Sequence, residues 1–156
     1  MRLVEILSED RVVLTHGLSE KSKALDAIAD LLAKGTSTHD VAHVRAVLEE
    51  REGLQSTGIG DGVAIPHGFL AELSTQVAAL VVAPDGVPFE SIDERPARII
   101  LGVIGPKRAN AQLEHLRILA RASKVLRDAT LRERILTAQS AHALYEVVRE
   151  ADARVP

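Results

Sequence analysis

Apolar residues recur along this chain in two rhythms. In the stretch from Glu20 to Gly35, Leu25, Ile28 and Leu32 fall at i, i+3 and i+7, one stripe of a helix. Ser19 stands before that run as a start signal, and Gly35 follows Lys34 as a stop. A second helix is predicted from about Thr38 to Glu52, with Val41, Val44 and Leu48 on its buried face and Arg51 near its end. Farther on the rhythm changes. Val77 to Ala83, closed by Pro84-Asp85-Gly86, and Arg98 to Pro106 are continuous apolar, β-branched runs. Absence of alternation predicts buried strands with both faces covered by helices, and Val63-Ala64-Ile65 reads as a shorter strand. The tail is helical. Leu113, Leu116, Ala120 and Ser123 form one stripe, and Thr130 to Glu133 reads as a capping box opening a short helix that contains Ile135. Ser140 caps a last helix with Leu144, Val147 and Val148 facing inward. This order predicts an α/β fold: a mixed β-sheet sandwiched by helices, in a single domain over residues 1–156 with its core at about 3–150.

Composition narrows the chemistry. Only Phe69, Phe89 and Tyr145 are aromatic, so the core is expected to be aliphatic. Cysteine is absent, which excludes disulfides, thiol nucleophiles and Cys-based zinc sites. A net charge of −3 speaks against nucleic acid as a partner. The opening MRLVEILSED lacks a signal-peptide pattern, and the longest apolar runs fall far short of the ~20 residues of a membrane span. A cytoplasmic protein without membrane insertion is the expectation.

The segment GLQSTGIGDGVAIPHGF has a different character. Its glycines and proline exclude a long helix, since Gly costs about 1 kcal/mol and Pro about 3 kcal/mol in a helix interior. Among six histidines, His67 alone lies in an unusual setting, between Pro66 and Gly68 and just after Gly58, Gly60 and Gly62. Pro66 stiffens the approach to it, and Gly68 permits a turn or the close approach of a ligand. A loop that offers backbone amides beside a fixed imidazole suits phosphoryl transfer through histidine. From spacing alone, a Gly-rich hairpin turn with an incidental histidine is the favoured reading. The glycines match neither dinucleotide nor P-loop spacing. His39 and His43 stand four apart but lack a glutamate partner of the H-E-x-x-H kind and a third ligand, so they read as solvated surface and no metal is expected. His16 and His142 read as structural. The runs Glu49-Glu50-Arg51-Glu52 and Arg132-Glu133-Arg134 read as solvent-facing helix.

The string REGLQSTGIGDGVAIPHG, Arg51 to Gly68, resembles the active-site signature of the fructose/mannitol-type IIA domains of the bacterial phosphotransferase system, and above all their nitrogen-regulatory members. Likeness continues in EILSEDRVVLTHGLSEKSKALDAIADLLA, in PFESIDERPARIILGVIGP and in LEHLRILARASKVLRD, so it covers nearly the whole chain. The resemblance implies a phosphohistidine carrier without cofactor. In it His67 is the phosphorylated nucleophile, His115 lies beside it, Arg51 faces the phosphoryl group, and Thr57, Gly58 and Gly60 belong to the phosphate-binding loop. It implies an HPr-like phosphocarrier protein as donor, and a IIB domain or a regulatory target as acceptor or partner. A sugar-specific IIA component, or a non-catalytic binding module on the same fold, is the alternative. Gln55 and Glu90 depart from residues frequent in the family, as do Ala97, Arg98 and the stretch after Pro106; these touch loop shape and partner surface.

Overall fold

The computed structural model describes residues 1–156. After two short 3-10 turns, Leu3–Glu5 and Glu9–Arg11, the elements are β1 (Val12–Leu14), α1 (Lys21–Ala33), α2 (Val41–Leu54), β2 (Gly58–Gly60), β3 (Val63–Ala64), β4 (His67–Leu70), β5 (Val77–Val87), β6 (Ala97–Pro106), α3 (Ala109–Leu126), α4 (Ala129–Thr137) and α5 (Ala141–Arg154). All strands join one mixed sheet in the order β1-β5-β6-β3-β2, with β4 also paired to β6.

The expected long strands form its centre. β5 and β6 pair antiparallel from Val77↔Ile104 to Val82↔Ile99. β5 runs on past Pro84-Asp85-Gly86, where the expected strand stops. Register shifts there, and pairing resumes at Val87↔Ala97. Period-two geometry sends alternate side chains to opposite faces. Ala79, Val81 and Ala83 pack with Ile28, Leu32, Val44 and Leu48 from α1 and α2. Ala78, Leu80 and Val82 pack with Ile118, Val125, Ile135 and Leu144 from α3, α4 and α5, together with Leu3 and Ile6. Both faces are therefore covered, as the unbroken apolar runs required.

Several local expectations shift. Helix α1 begins at Lys21 after Glu20, so Ser19 does not cap it. Asp40 caps α2 by accepting from His43 N, and Val41 is 37% exposed while Val44 and Leu48 are buried. Asp128, not Thr130, opens α4: its carboxylate accepts from the amides of Thr130 and Leu131. Asp is as good a cap as Thr and stands one residue before the helix. Ser140 caps α5 as expected, accepting from Ala143 N.

The stripe expected on α3 lies on the wrong side. Leu113 and Leu116 are 54% and 60% exposed, whereas His115, Ile118, Ala122, Val125 and Leu126 face the core. The true stripe lies two residues away, almost opposite on a helical wheel, and the histidine within it hid its apolar character.

A buried ion pair fastens α3 to both ends of the chain. Asp152 is fully buried and accepts from Arg121 Nε at 2.6 Å and from the Val4 amide at 3.1 Å. Arg121 Nη2 donates to the carbonyls of Asp152 and Val155. Removing one member of such a pair strands the other charge away from water. Asp152→Ala is expected to lower unfolding free energy by about 3 kcal/mol, read as a fall in the urea midpoint at unchanged slope.

Candidate functional site

The site lies at the edge of the sheet, where β3 and β4 follow one another along β6. Val63 and Ala64 pair with Ile99 and Ile100, and His67 to Leu70 pair with Val103 to Pro106. Between these stretches Ile65 and Pro66 leave the ladder. Pro66 has no amide to give, but its carbonyl accepts from Val103 N at 3.0 Å. The Ile65 amide donates to the Thr57 carbonyl at 3.0 Å. His67 therefore stands at the start of a strand rather than in a loop. Its companion Gly68 neither turns nor admits a ligand. A Cβ there would collide with Val47 Cγ1 of α2, so the glycine lets helix and strand pack closely.

The Nδ1 of His67 lies 2.8 Å from the Ile65 carbonyl oxygen. A carbonyl only accepts, so Nδ1 carries the proton and Nε2 keeps the free lone pair. The half-buried ring is pushed below its ordinary pKa, chiefly by burial, which outweighs the opposing bond to Ile65. Arg51 lowers it further and Glu52 raises it. At neutral pH this imidazole is uncharged, with its tautomer fixed and the Nε2 lone pair available.

A cleft of about 270 Å³ contains His67, Arg51, Gln55, Thr57 and, from α3, Leu119 and Ser123. Arg51 comes from the last turn of α2. One of its nitrogens, Nη1, donates to the Gln55 carbonyl at 2.8 Å, which leaves Nε and Nη2 without partners in the chain. Larger cavities lie elsewhere. One of about 570 Å³ between α1, β1 and His39 holds none of these residues.

His115 lies beside His67, with ring centroids 5.8 Å apart, and its other neighbour is the Phe69 ring at 4.5 Å. It is 1% exposed. Its Nδ1 sits 2.8 Å from Gln76 Oε1, and Gln76 in turn donates from Nε2 to the Ala111 carbonyl. An accepting Oε1 again places the proton on Nδ1. Its Nε2 is buried without a partner. Burial, aided by His67, lowers its pKa from 6.5 to about 4.

The glycine-rich loop is less open than its composition suggested. Thr57 is buried and gives its amide to Glu52 Oε1 at 2.8 Å and its hydroxyl to Glu52 Oε2 at 2.6 Å. The Gly58 amide donates to Ser56 Oγ at 3.1 Å, and a Cβ at Gly58 would collide with Ser91. Gly60, with φ of 97°, lies in a neighbouring depression beside Asp61, Ser123 and Arg127. The amides of Thr57 and Gly58 are thus already engaged within the protein. Glu52 itself corrects the reading of its charge run as solvent-facing: it is 7% exposed. Nothing in its position marked it, since Arg51 and Glu52 differ by one helical step and point about 100° apart.

His39 and His43 do not act together. His39 precedes α2 in a left-handed conformation, and His43 Nε2 meets Glu72 Oε1 at 3.2 Å. His16 and His142 make surface contacts with Asp85 and Glu9. No helix is long and apolar enough to cross a membrane.

The low basicity of His115 has a measurable consequence. An unfolded chain protonates this imidazole near its ordinary 6.5, the folded chain only near about 4. More protons bind the unfolded state between those values, so stability falls as pH falls through that window. His115→Gln is expected to flatten this decline, measured as urea midpoints from pH 7 to pH 4.

Residues 5–151 match the family model described as "Phosphoenolpyruvate-dependent sugar phosphotransferase system, EIIA 2". A nitrogen regulatory protein of Pseudomonas aeruginosa is 32% identical over 148 residues, covering 95% of each chain. A fructose-specific EIIABC component of the phosphotransferase system in Bacillus subtilis is 30% identical over 152 residues, which is 97% of this chain but 24% of that protein's length. The crystal structure of nitrogen regulatory protein IIA-Ntr from Neisseria meningitidis superimposes with a TM-score of 0.84 at 28% identity, covering 94% of this chain and 98% of that one. A rigid imidazole of fixed tautomer beside a half-free guanidinium, on this fold and with these relatives, leads to one assignment: the chain belongs to the EIIA 2 family of the sugar phosphotransferase system.

Proposed function

We propose that this protein is a phosphohistidine carrier that takes a phosphoryl group from an HPr-like phosphocarrier protein onto His67 and acts in regulation in the cytoplasm. The observation that carries this reading is the bond from His67 Nδ1–H to the Ile65 carbonyl, which leaves Nε2 unprotonated. In the transfer, the Nε2 lone pair forms the new N–P bond while the donor's N–P bond breaks and the electron pair returns to the donor imidazole. His67 keeps its Nδ1 proton throughout. Little covalent chemistry falls to the protein beyond the nucleophile, so positioning and charge dominate.

Arg51 supplies the charge. Its two unpartnered nitrogens suit the equatorial oxygens, and a guanidinium donates to such a group in a fixed fork. His115 has a different part. Neutral and held by Gln76, it cannot donate from Nε2 until it gains a proton. A phosphoryl dianion on His67 favours the protonated form, and His115 then becomes a donor toward it. Thr57, Gly58 and Gly60 shape the loop around the group; with the amides of Thr57 and Gly58 already bonded, this reading assigns most of the oxygen recognition to Arg51.

The rim suits a protein partner rather than a small substrate. Leu54, Ile59, Leu113 and Leu116 are 80%, 45%, 54% and 60% exposed on the elements that frame the cleft. Charge added by phosphorylation, about −1.5 to −2 at neutral pH, arrives amid this rim and alters what binds there. The regulatory role draws support from similarity to a nitrogen regulatory protein across 95% of both chains. The fructose-specific relative favours a second reading, a sugar-specific component that passes the group to a IIB domain.

Incubation with the labelled carrier phosphoprotein is expected to give an acid-labile, base-stable label that His67→Ala abolishes. Arg51→Ala is expected to slow uptake about 10²-fold, the usual effect of removing a donor to developing charge. Label entering His67→Ala at the wild-type rate contradicts the assignment. Chase of the label onto a IIB protein from the same cell decides for the sugar-specific reading.

A further inference from the structure

Glu52 joins four parts of the molecule that the transfer chemistry does not otherwise connect. Its side chain is 4% exposed. On one side, Oε1 and Oε2 take both hydrogen-bond donors of Thr57, amide and hydroxyl. On the other, Lys21 Nζ at the start of α1 lies 2.9 Å from Oε1. The same ammonium sits 4.8 Å over the Phe89 ring and 3.3 Å from Glu90 in the connection between β5 and β6. That connection holds the loop from its far side: Ser56 Oγ donates to the Phe89 carbonyl at 2.6 Å, the Ile92 amide to the Gly58 carbonyl at 3.1 Å, and the Asp61 amide to Asp93 at 2.9 Å. From α2 the loop wall is held by this carboxylate at Thr57 and by the Arg51 bond to the Gln55 carbonyl.

The arrangement has a direct geometric meaning. Adjacent residues of the last turn of α2 do opposite things: Arg51 reaches into the cleft, and Glu52 reaches under the loop. Thr57 lines the same cleft as His67 and Arg51. Fastening Thr57 by two donors fixes where that wall stands relative to both.

We propose that Glu52 is a positioning residue for phosphoryl transfer at His67: by holding both donors of Thr57 and pairing with Lys21, it sets the loop wall at the distance from Arg51 and His67 that in-line transfer requires. The inference rests on the carrier reading given above. It goes beyond that reading by assigning a role to a residue outside the phosphate-facing set. Charge supplies a second signature. The groups facing His67 are Arg51 and Glu52 from α2 and His115 from α3, and among them the Glu52 carboxylate raises the basicity of the imidazole.

The test uses the full chain and the labelled carrier phosphoprotein, with three variants confirmed as folded by near-UV circular dichroism. Thr57→Val removes the hydroxyl and keeps the shape. Thr57→Ser keeps both donors. Glu52→Gln keeps an accepting oxygen but loses the pairing with Lys21. Thr57→Val and Glu52→Gln are expected to lower kcat about tenfold or more, with KM for the carrier unchanged within about twofold, as befits lost alignment rather than lost docking. Thr57→Ser is expected to recover most of the rate. The His67 midpoint by NMR is expected to drop in Glu52→Gln and to stay in place in Thr57→Val. Wild-type rates in both Thr57→Val and Glu52→Gln, or a Thr57→Ser protein as slow as Thr57→Val, overturn the proposal. A Glu52→Gln protein that fails to fold leaves the Thr57 pair to decide it. A wild-type chain that accepts no label sinks the carrier reading instead, and the holding role is then read from hydrogen exchange. Exchange of the Thr57 amide is expected to be slow in the wild type and much faster in Glu52→Gln; equal rates overturn it.

Discussion

A break in strand pairing two residues long governs this site. Along one edge of β6, β3 pairs as far as Ala64 and β4 resumes at His67, so Ile65 and Pro66 must cross the gap. Pro66 cannot donate there, and its carbonyl is taken by Val103. The Ile65 carbonyl is thereby left to the one donor close by, the ring of His67. Backbone accounting leaves no orphan, because a buried carbonyl that loses its ladder partner finds another. The by-product is chemical: the ring's tautomer and direction are set by main chain, which is more rigid than any side-chain support.

The edge position also explains how the remaining groups meet. Helices α1 and α2 cover one face of the sheet and α3 to α5 the other. Only at an edge do groups from both layers approach one another. Arg51 arrives from the first layer, and His115, Leu119 and Ser123 from the second. Gly68 lets α2 press close to β4, and Asp152 with Arg121 fixes the far part of α3. The two histidines consequently differ in character. His67 is half-buried and reachable; His115 is sealed beneath it with one nitrogen unpaired.

Much of this was legible in the residues. Unbroken β-branched runs announced two strands covered on both faces, and Pro66-His67-Gly68 singled out the histidine. The signature from Arg51 to Gly68, once recognised, pointed to Arg51, and the likeness in LEHLRILARASKVLRD pointed to His115. What stayed hidden has physical reasons. The core face of α3 contains His115, so an apolar count preferred the exposed leucines at 113 and 116. Those leucines are exposed, and exposed apolar residues look in sequence like residues that face the core. Strands β2 to β4 are two to four residues long, too short for any periodicity. Glu52 sat within a run of charges, and only the fold brought Lys21 and Thr57 to it. Open loop amides were expected from composition, but composition cannot show that Ser56 already holds that of Gly58 and Glu52 that of Thr57.

The central claim is that main chain chooses the reactive nitrogen. Nitrogen-15 NMR of the phosphorylated protein reads that choice directly, because a phosphoryl group on either ring nitrogen gives a distinct pattern of shifts and phosphorus couplings. The account predicts the N–P bond at Nε2 of His67, with Nδ1 still protonated and still bonded to the Ile65 carbonyl. Phosphorus found on Nδ1 would contradict it.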